Sequence, residues 1–231
     1  TAADSISGVN HVDLSVFDGL GFWNSINWTG PQTWFTASGT NLWEYLYTPN
    51  KDGTFTFYSR ATDAAGNVES TGTLSGVVYD TTAPTVSWII PAVDSTISGT
   101  GLLELFVSYA TSGIAQTVFQ YKRNDGVDTF HTTSSLWDTT SLSLDNYTLR
   151  AIVTDNAGNS TTIDRNVDVA AVVAGQSSFT TATNSFTITW TTDRPTSGYI
   201  VYDTVSHSVL GLAPNYGYAS ISSTADISPK T

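Results

Sequence analysis

The chain has 231 residues, 20 acidic against 8 basic, a net charge of −12, and neither Cys nor Met. So acidic a balance argues against a nucleic-acid binder, which needs a basic stripe to release counterions from phosphate. Zero Cys excludes disulfides and thiolate metal sites.

Apolar residues make up 40% and aromatics 12%, enough to bury cores. The longest apolar reach, Val169 to Ala174, is far short of a membrane span. With 38 Thr and 28 Ser, the composition points to an all-β protein of two or three small domains. The chain begins at Thr1 with no charged-then-apolar leader. The expectation is that a leader has been removed or that the chain is a piece of something longer. Only three Lys and no oxidisable sulfur suit an extracellular setting.

In chain order, the first element is an alternating strand that follows a Ser-Gly turn in DSISGVNHVDLSV, residues 4–16. An aromatic cluster comes next: Phe17, Phe22, Trp23, Trp28, Trp34, Phe35, Trp43, Tyr45 and Tyr47. Large aromatics on loops stack on sugar rings or bury into a partner, and equally plug a core. Trp43 precedes a strand as Trp137 does and reads as core. Trp23, Trp28 and Trp34 are the candidate contact residues, for a surface polysaccharide or a neighbouring cell.

The third element, GTFTFYSRATDAAGN at 53–67, returns 92 residues later as DNYTLRAIVTDNAGN at 145–159. Both alternate with period 2, one face carrying Phe55, Phe57, Ser59 and Ala61, then Tyr147, Leu149, Ala151 and Val153. That is a half-buried strand. The closing D-x-A-G-N predicts a hairpin, with Asp capping the turn, Gly at positive φ and Asn tolerating the left-handed region. The 4–16 stretch has its own counterpart, YATSGIAQTVFQY at 109–121. Two copies of a unit of about 90 residues with such short strands read as β-sandwiches.

Between the copies lies Asp80-Thr-Thr-Ala-Pro84, ahead of the strand-like Thr85–Ile90. D-T-T-A-P-T-V-S opening a unit, W-D-T-T-x-L at Trp137–Leu142 and Y-T-L-R-A-x-x-T-D-N-A-G-N closing it resemble the bacterial Ig-like repeats, over roughly residues 1–170. The resemblance implies tandem stalks of secreted and cell-surface proteins, with D-T-T-A-P as the inter-domain boundary and its Pro stiffening the linker. Further on, T-I-T-W-T-T-D-x-P-x-S-G-Y-I-V-Y at 187–202 resembles a fibronectin type III-like domain. Trp190 reads there as a core plug.

Three domains are therefore expected: an Ig-like domain at 1–79 lacking its N-terminal strands, an Ig-like domain at 80–172, and a fibronectin III-like domain at 176–231 lacking its C-terminal strands. A sandwich short of strands exposes an edge and an open core. Either the chain is a window on a longer protein, or neighbouring subunits complete it in trans by β-strand addition, which would make a filament.

Chemistry is sparse. His11, His131 and His207 stand singly, without H-x-x-H or H-E-x-x-H spacing. No nucleophile elbow, P-loop or dinucleotide fingerprint is present. Calcium is the one metal to weigh, through Asp63 with Asn67, Asp155 with Asn159, and Asp80 at the junction. The other reading of these residues is as turn caps, and for D-x-A-G-N it is the favoured one.

The reading is an all-β, non-enzymatic structural protein: tandem Ig-like and fibronectin III-like sandwiches forming an elongated rod, as stalk, adhesin shaft or filament subunit of a prokaryotic cell surface. Its partners would be further copies or further domains of the same chain. The alternative is an accessory region, carbohydrate-binding or spacer, of a secreted hydrolase.

Overall fold

A computed structural model describes the chain except residues 1, 29, 109, 110, 173–177, 183, 184, 195, 197, 203, 206–208, 210, 213–215 and 225–231, and His207 lies outside the described residues. Every described regular element is a strand. The first copy of the repeat holds β1 (Val9–Phe17), β2 (Phe35–Thr36), β3 (Ser38–Gly39), β4 (Trp43–Glu44), β5 (Gly53–Asp63) and β6 (Gly72–Tyr79). The second holds β7 (Thr85–Ile90), β8 (Ser95–Ile97), β9 (Thr100–Leu102), β10 (Glu104–Ser108), β11 (Ile114–Arg123), β12 (His131–Thr133), β13 (Leu136–Asp138), β14 (Asp145–Asp155) and β15 (Ser160–Val169). Two hairpin-like pairs follow, β16 (Ser178–Ala182) with β17 (Ser185–Thr189), and β18 (Gly198–Tyr202) with β19 (Ser220–Thr224).

The chain divides into two compact units. One comprises Thr1–Val86 with Val107–Thr117 and Ile152–Thr162; the other comprises Ser87–Phe106, Val118–Ala151 and Ile163–Thr231.

In the first unit, β2-β1-β5-β6 form a four-stranded sheet. β1 and β5 run antiparallel with Val12 opposite Ala61, Leu14 opposite Ser59 and Val16 opposite Phe57. Period-2 alternation sends Val12, Leu14, Val16 and Phe55 inward, all buried. Asp13 and Ser15 point the other way and are buried too. Asp13 accepts a hydrogen bond from Thr36 Oγ1 at 3.0 Å and lies 3.4 Å from an Arg60 nitrogen. The Arg60 guanidinium stacks 4.1 Å over Trp34, so Trp34 covers this face of the sheet by a cation–π contact.

The sheet of the second copy has the order β12-β11-β14-β15-β8. Along β14 burial alternates without a break, Tyr147, Leu149, Ala151, Val153 and Asp155 being buried and the residues between them only partly covered. The core of the second unit gathers Ile97, Leu103, Trp137, Tyr147, Leu149, Val167 and Val169, with Trp88, Phe119, Tyr121 and Leu142 packed against it. β8 lies parallel to the outer edge of β15, Ser95 opposite Val167 and Ile97 opposite Val169, and β9 pairs with β13 so that Gly101 faces Trp137. Trp190 is half-buried; the side chains of Phe186 and Ile188 lie outside the described residues.

Candidate functional site

The D-x-A-G-N turns carry the geometry from which the site is built. In the first, Asp63 Oδ1 accepts from the Asn67 amide at 2.7 Å and Oδ2 from Asn67 Nδ2 at 2.7 Å. In the second, Asp155 Oδ1 accepts from the amides of Ala157 and Asn159 at 2.9 and 2.8 Å, and Oδ2 from Asn159 Nδ2 at 3.0 Å. Positive φ falls to Gly66 and Gly158, at 90° and 94°. The two Asn act instead through the side-chain amide, which the left-handed role expected of them does not describe. The Asn67 side chain and amide hold the Asp63 carboxyl below its ordinary pKa of 3.8. For Asp155 burial pushes the pKa up, and the donors from Asn159, Ala157 and Gly158 outweigh it, so that the net shift is downward.

Asp80 sits at the centre of a denser arrangement inside the first compact unit. Its Oδ2 accepts from the Ser112 amide at 2.9 Å and from the Ser112 hydroxyl, and its Oδ1 from the Thr82 amide at 3.1 Å. Its carbonyl accepts from Asn159 Nδ2 at 3.1 Å. The next residues are held from the first repeat. Asp52 Oδ1 accepts from the Thr81 amide at 2.9 Å and the Thr81 hydroxyl at 2.8 Å, and Oδ2 from the Thr82 hydroxyl at 2.5 Å. Those donors, the Thr82 hydroxyl foremost, depress the pKa of Asp52. At the far end the Thr161 hydroxyl donates to the Pro84 carbonyl, and Asn156 Nδ2 braces the Ser112 carbonyl at 2.7 Å.

Linker residues 80–84 are thus clasped by Asp52 from one repeat and by Ser112, Asn159 and Thr161 from the other. Pro84 fixes its own φ, and charge-assisted bonds fix much of what precedes it. A related serine–carboxylate contact occurs in the first repeat. Ser7, the counterpart of Ser112, donates from its amide and hydroxyl to Asp4 Oδ2 at 3.0 and 2.5 Å, and its hydroxyl also reaches Asp63 at 2.9 Å.

A second tie lies within the other unit. The guanidinium of Arg194, only 7% exposed, donates to the Thr139 carbonyl at 3.0 Å and the Thr139 hydroxyl at 3.2 Å. Asp193 exchanges two bonds with Val172, its amide donating to the carbonyl at 3.1 Å and its Oδ1 accepting from the amide at 3.0 Å. The Ser98 hydroxyl donates to its other oxygen.

The structure brings Asp80, Asp155 and Asn159 together, and places Asp63 with Asn67 at the other turn. Among the described residues no three His, Cys, Asp or Glu side chains gather as a metal site. Trp23 and Trp28 are half-buried. Their rings lie 5.3 Å apart, Trp28 lies 5.3 Å from Phe55, and both pack on the core formed by Leu14, Val16 and Phe55. Trp28 Nε1 donates to Asn50 at 2.9 Å and Lys51 covers the ring at 5.0 Å. Sequence reasoning missed Asp52, Ser112 and Thr161 of the clasp, and Ser98, Thr139 and Arg194 of the second tie. The one available signal was the repeat itself, which aligns Ser112 with Ser7.

Short-stranded repeats joined by a clasped linker define an Ig-like class of fold. A profile of the bacterial Ig-like domain matches residues 33–81 and again 92–170, more than half of the chain. The chain belongs to this family. Among solved structures, the fibronectin(III)-like modules of Clostridium thermocellum CbhA are similar at 15% identity with a TM-score of 0.30, over 73% of this chain and 80% of that chain. No curated protein matches.

Proposed function

We propose that the chain is a non-catalytic structural segment of an extracellular or cell-surface protein, a stalk, adhesin shaft or filament subunit in which Ig-like repeats are held at fixed spacing. The clasp on residues 80–84 carries this reading. A passive tether needs reach and little else, and Gly/Ser-rich sequence supplies it. Here the linker carries Pro84, donates hydrogen bonds to Asp52 of the first repeat and accepts them from Ser112, Asn159 and Thr161 of the second, which favours a spacer that transmits force and orientation.

The test uses the absence of native Cys. Spin labels on Glu44→Cys and Gln116→Cys, exposed positions of the two repeats inside the first compact unit, report the inter-repeat distance distribution. The expected result is a narrow distribution that broadens in the Asp52→Ala plus Asn159→Ala variant. A parent distribution already as broad as the variant's would sink the reading.

The accessory-region reading draws support from the half-buried indole pair Trp23 and Trp28. Sugar-binding platforms present an open aromatic face, whereas these rings stack on each other, on Phe55 and under Lys51. No retention on insoluble polysaccharide is therefore expected. Retention lost in Trp23→Ala plus Trp28→Ala would reverse the preference.

A further inference from the structure

The two repeats differ at one edge. β6 and β15 are the same strand of the repeat, each following the D-x-A-G-N turn and each forming the outer side of the hairpin with β5 or β14. β15 carries β8 on its outer edge, and its last apolar residues, Val167 and Val169, are 1% and 2% exposed. β6 ends its sheet, and among the described residues nothing pairs with its outer side. Its last residues, Val77 and Tyr79, are only half-buried, while Leu74 and Val78 are 63% and 47% exposed.

An apolar groove of about 530 Å³ opens beside this edge, lined by Leu14, Trp43, Tyr45, Phe57, Leu74 and Val77. Its walls have counterparts in the second repeat. The 92-residue offset pairs Phe57 with Leu149, the 105-residue offset pairs Leu14 with Phe119, and Trp43 stands before its strand as Trp137 does. The 92-residue offset pairs Val77 with Val169, which lies opposite Ile97 of β8. Leu149, Trp137 and Val169 share a core with Ile97, and Phe119 packs against it. The groove therefore corresponds to the seat that Ile97 of β8 takes in the second repeat.

The edge is also unguarded. Natural edge strands carry charge or Pro to prevent pairing, and Gly72-Thr-Leu-Ser-Gly-Val-Val-Tyr79 has neither. Gly76, at φ 75°, sits where the register with β5 slips between Phe55 and Phe57. The stretch Val77–Tyr79 beyond that irregularity is regular ladder, and by the offset it begins at the position where Ile97 of β8 pairs with β15.

We propose that the β6 edge and its groove accept one extended strand, parallel to β6, with the chemistry of Ser95–Leu103: uncharged, with apolar residues that seat an Ile side chain between Phe57, Trp43 and Val77. Main-chain bonds along Val77–Tyr79 supply general affinity and the groove supplies specificity. This stands apart from the clasp, since a stiff linker and an open edge are tested separately.

The probe is a synthetic peptide of the Pro91–Leu105 sequence, added to the full chain and followed by hydrogen–deuterium exchange. Slowed exchange confined to β6 is expected, saturating at one peptide per chain. The Ile97→Asp version of the peptide, which needs no folding of its own, should bind about tenfold weaker or worse. Equal effects of the two peptides, or no slowing at β6 at millimolar peptide, would overturn the proposal. Without peptide, concentration-dependent dimers protected at the same stretch would support the edge and identify a second copy as strand donor. Dimers protected elsewhere, with β6 exchanging freely in the presence of peptide, would count against it.

Discussion

Arg194 shows how much one side chain settles. Its guanidinium is 7% exposed and divides its donors among the carbonyl and hydroxyl of Thr139 and the carboxylate of Asp193. Thr139, itself fully buried, passes the bond on from its hydroxyl to the Gly99 carbonyl at 2.7 Å. A planar fork reaches acceptors spread across its plane at fixed angles, and the compact ammonium group does not span the same positions. Arg194→Lys keeps the charge and loses that geometry, leaving buried acceptors short of donors. The expected cost is about 1–3 kcal/mol, read as a lowered urea midpoint at unchanged slope. A midpoint equal to that of the parent would show that the tie contributes nothing to stability.

At the scale of the element, sequence was informative wherever a feature repeats at short range. Tyr147, Leu149, Ala151 and Val153 alternate, and the burial of β14 follows them residue by residue, because a strand with two unlike faces prints its period directly into the chain. D-x-A-G-N was legible for a similar reason: a carboxylate, a glycine and an amide within five residues fix a turn locally. β2, β3 and β4 were not legible, since two residues carry no period. Nor was the clasp. Asp52 meets Thr81 across 29 residues and Asp80 meets Ser112 across 32, and such pairings depend on where the sheets bring the chain. Asp80 stood out through its motif, whereas Ser112 and Thr161 looked like any of the 66 Ser and Thr residues. The Trp-rich stretch could be counted, yet whether Trp23 and Trp28 face inward depends on the path of their loop.

For the whole molecule the governing quantity is charge. At net −12 the folded state repels itself at neutral pH. Lowering the pH relieves that repulsion, but it also titrates the carboxylates that hold the turns and the linker. Asp52, Asp63 and Asp155 have folded-state pKa values depressed below 3.8. Their contribution is fully present above 3.8 and is lost as the pH falls through the lower folded values. The melting temperature should therefore hold or rise slightly from pH 7 to about 4.5, where ordinary carboxylates begin to protonate. Below 3.8 it should fall steeply. Asp63→Asn plus Asp155→Asn starts lower and should show a flatter acid limb in calorimetry from pH 7 to 2. Parallel acid limbs for parent and variant would mean that these turns do not govern acid unfolding.

The clasp on residues 80–84 also limits how such a chain can change in length. A free tether accepts an extra residue at the cost of a little loop entropy. Here Asp52 grips Thr81 and Thr82 while Ser112, Asn159 and Thr161 grip Asp80 and Pro84, so one inserted residue would break the alignment of donors with acceptors at one end or the other. A change in length that keeps these bonds therefore comes in whole repeats, and a single added residue is not tolerated between them.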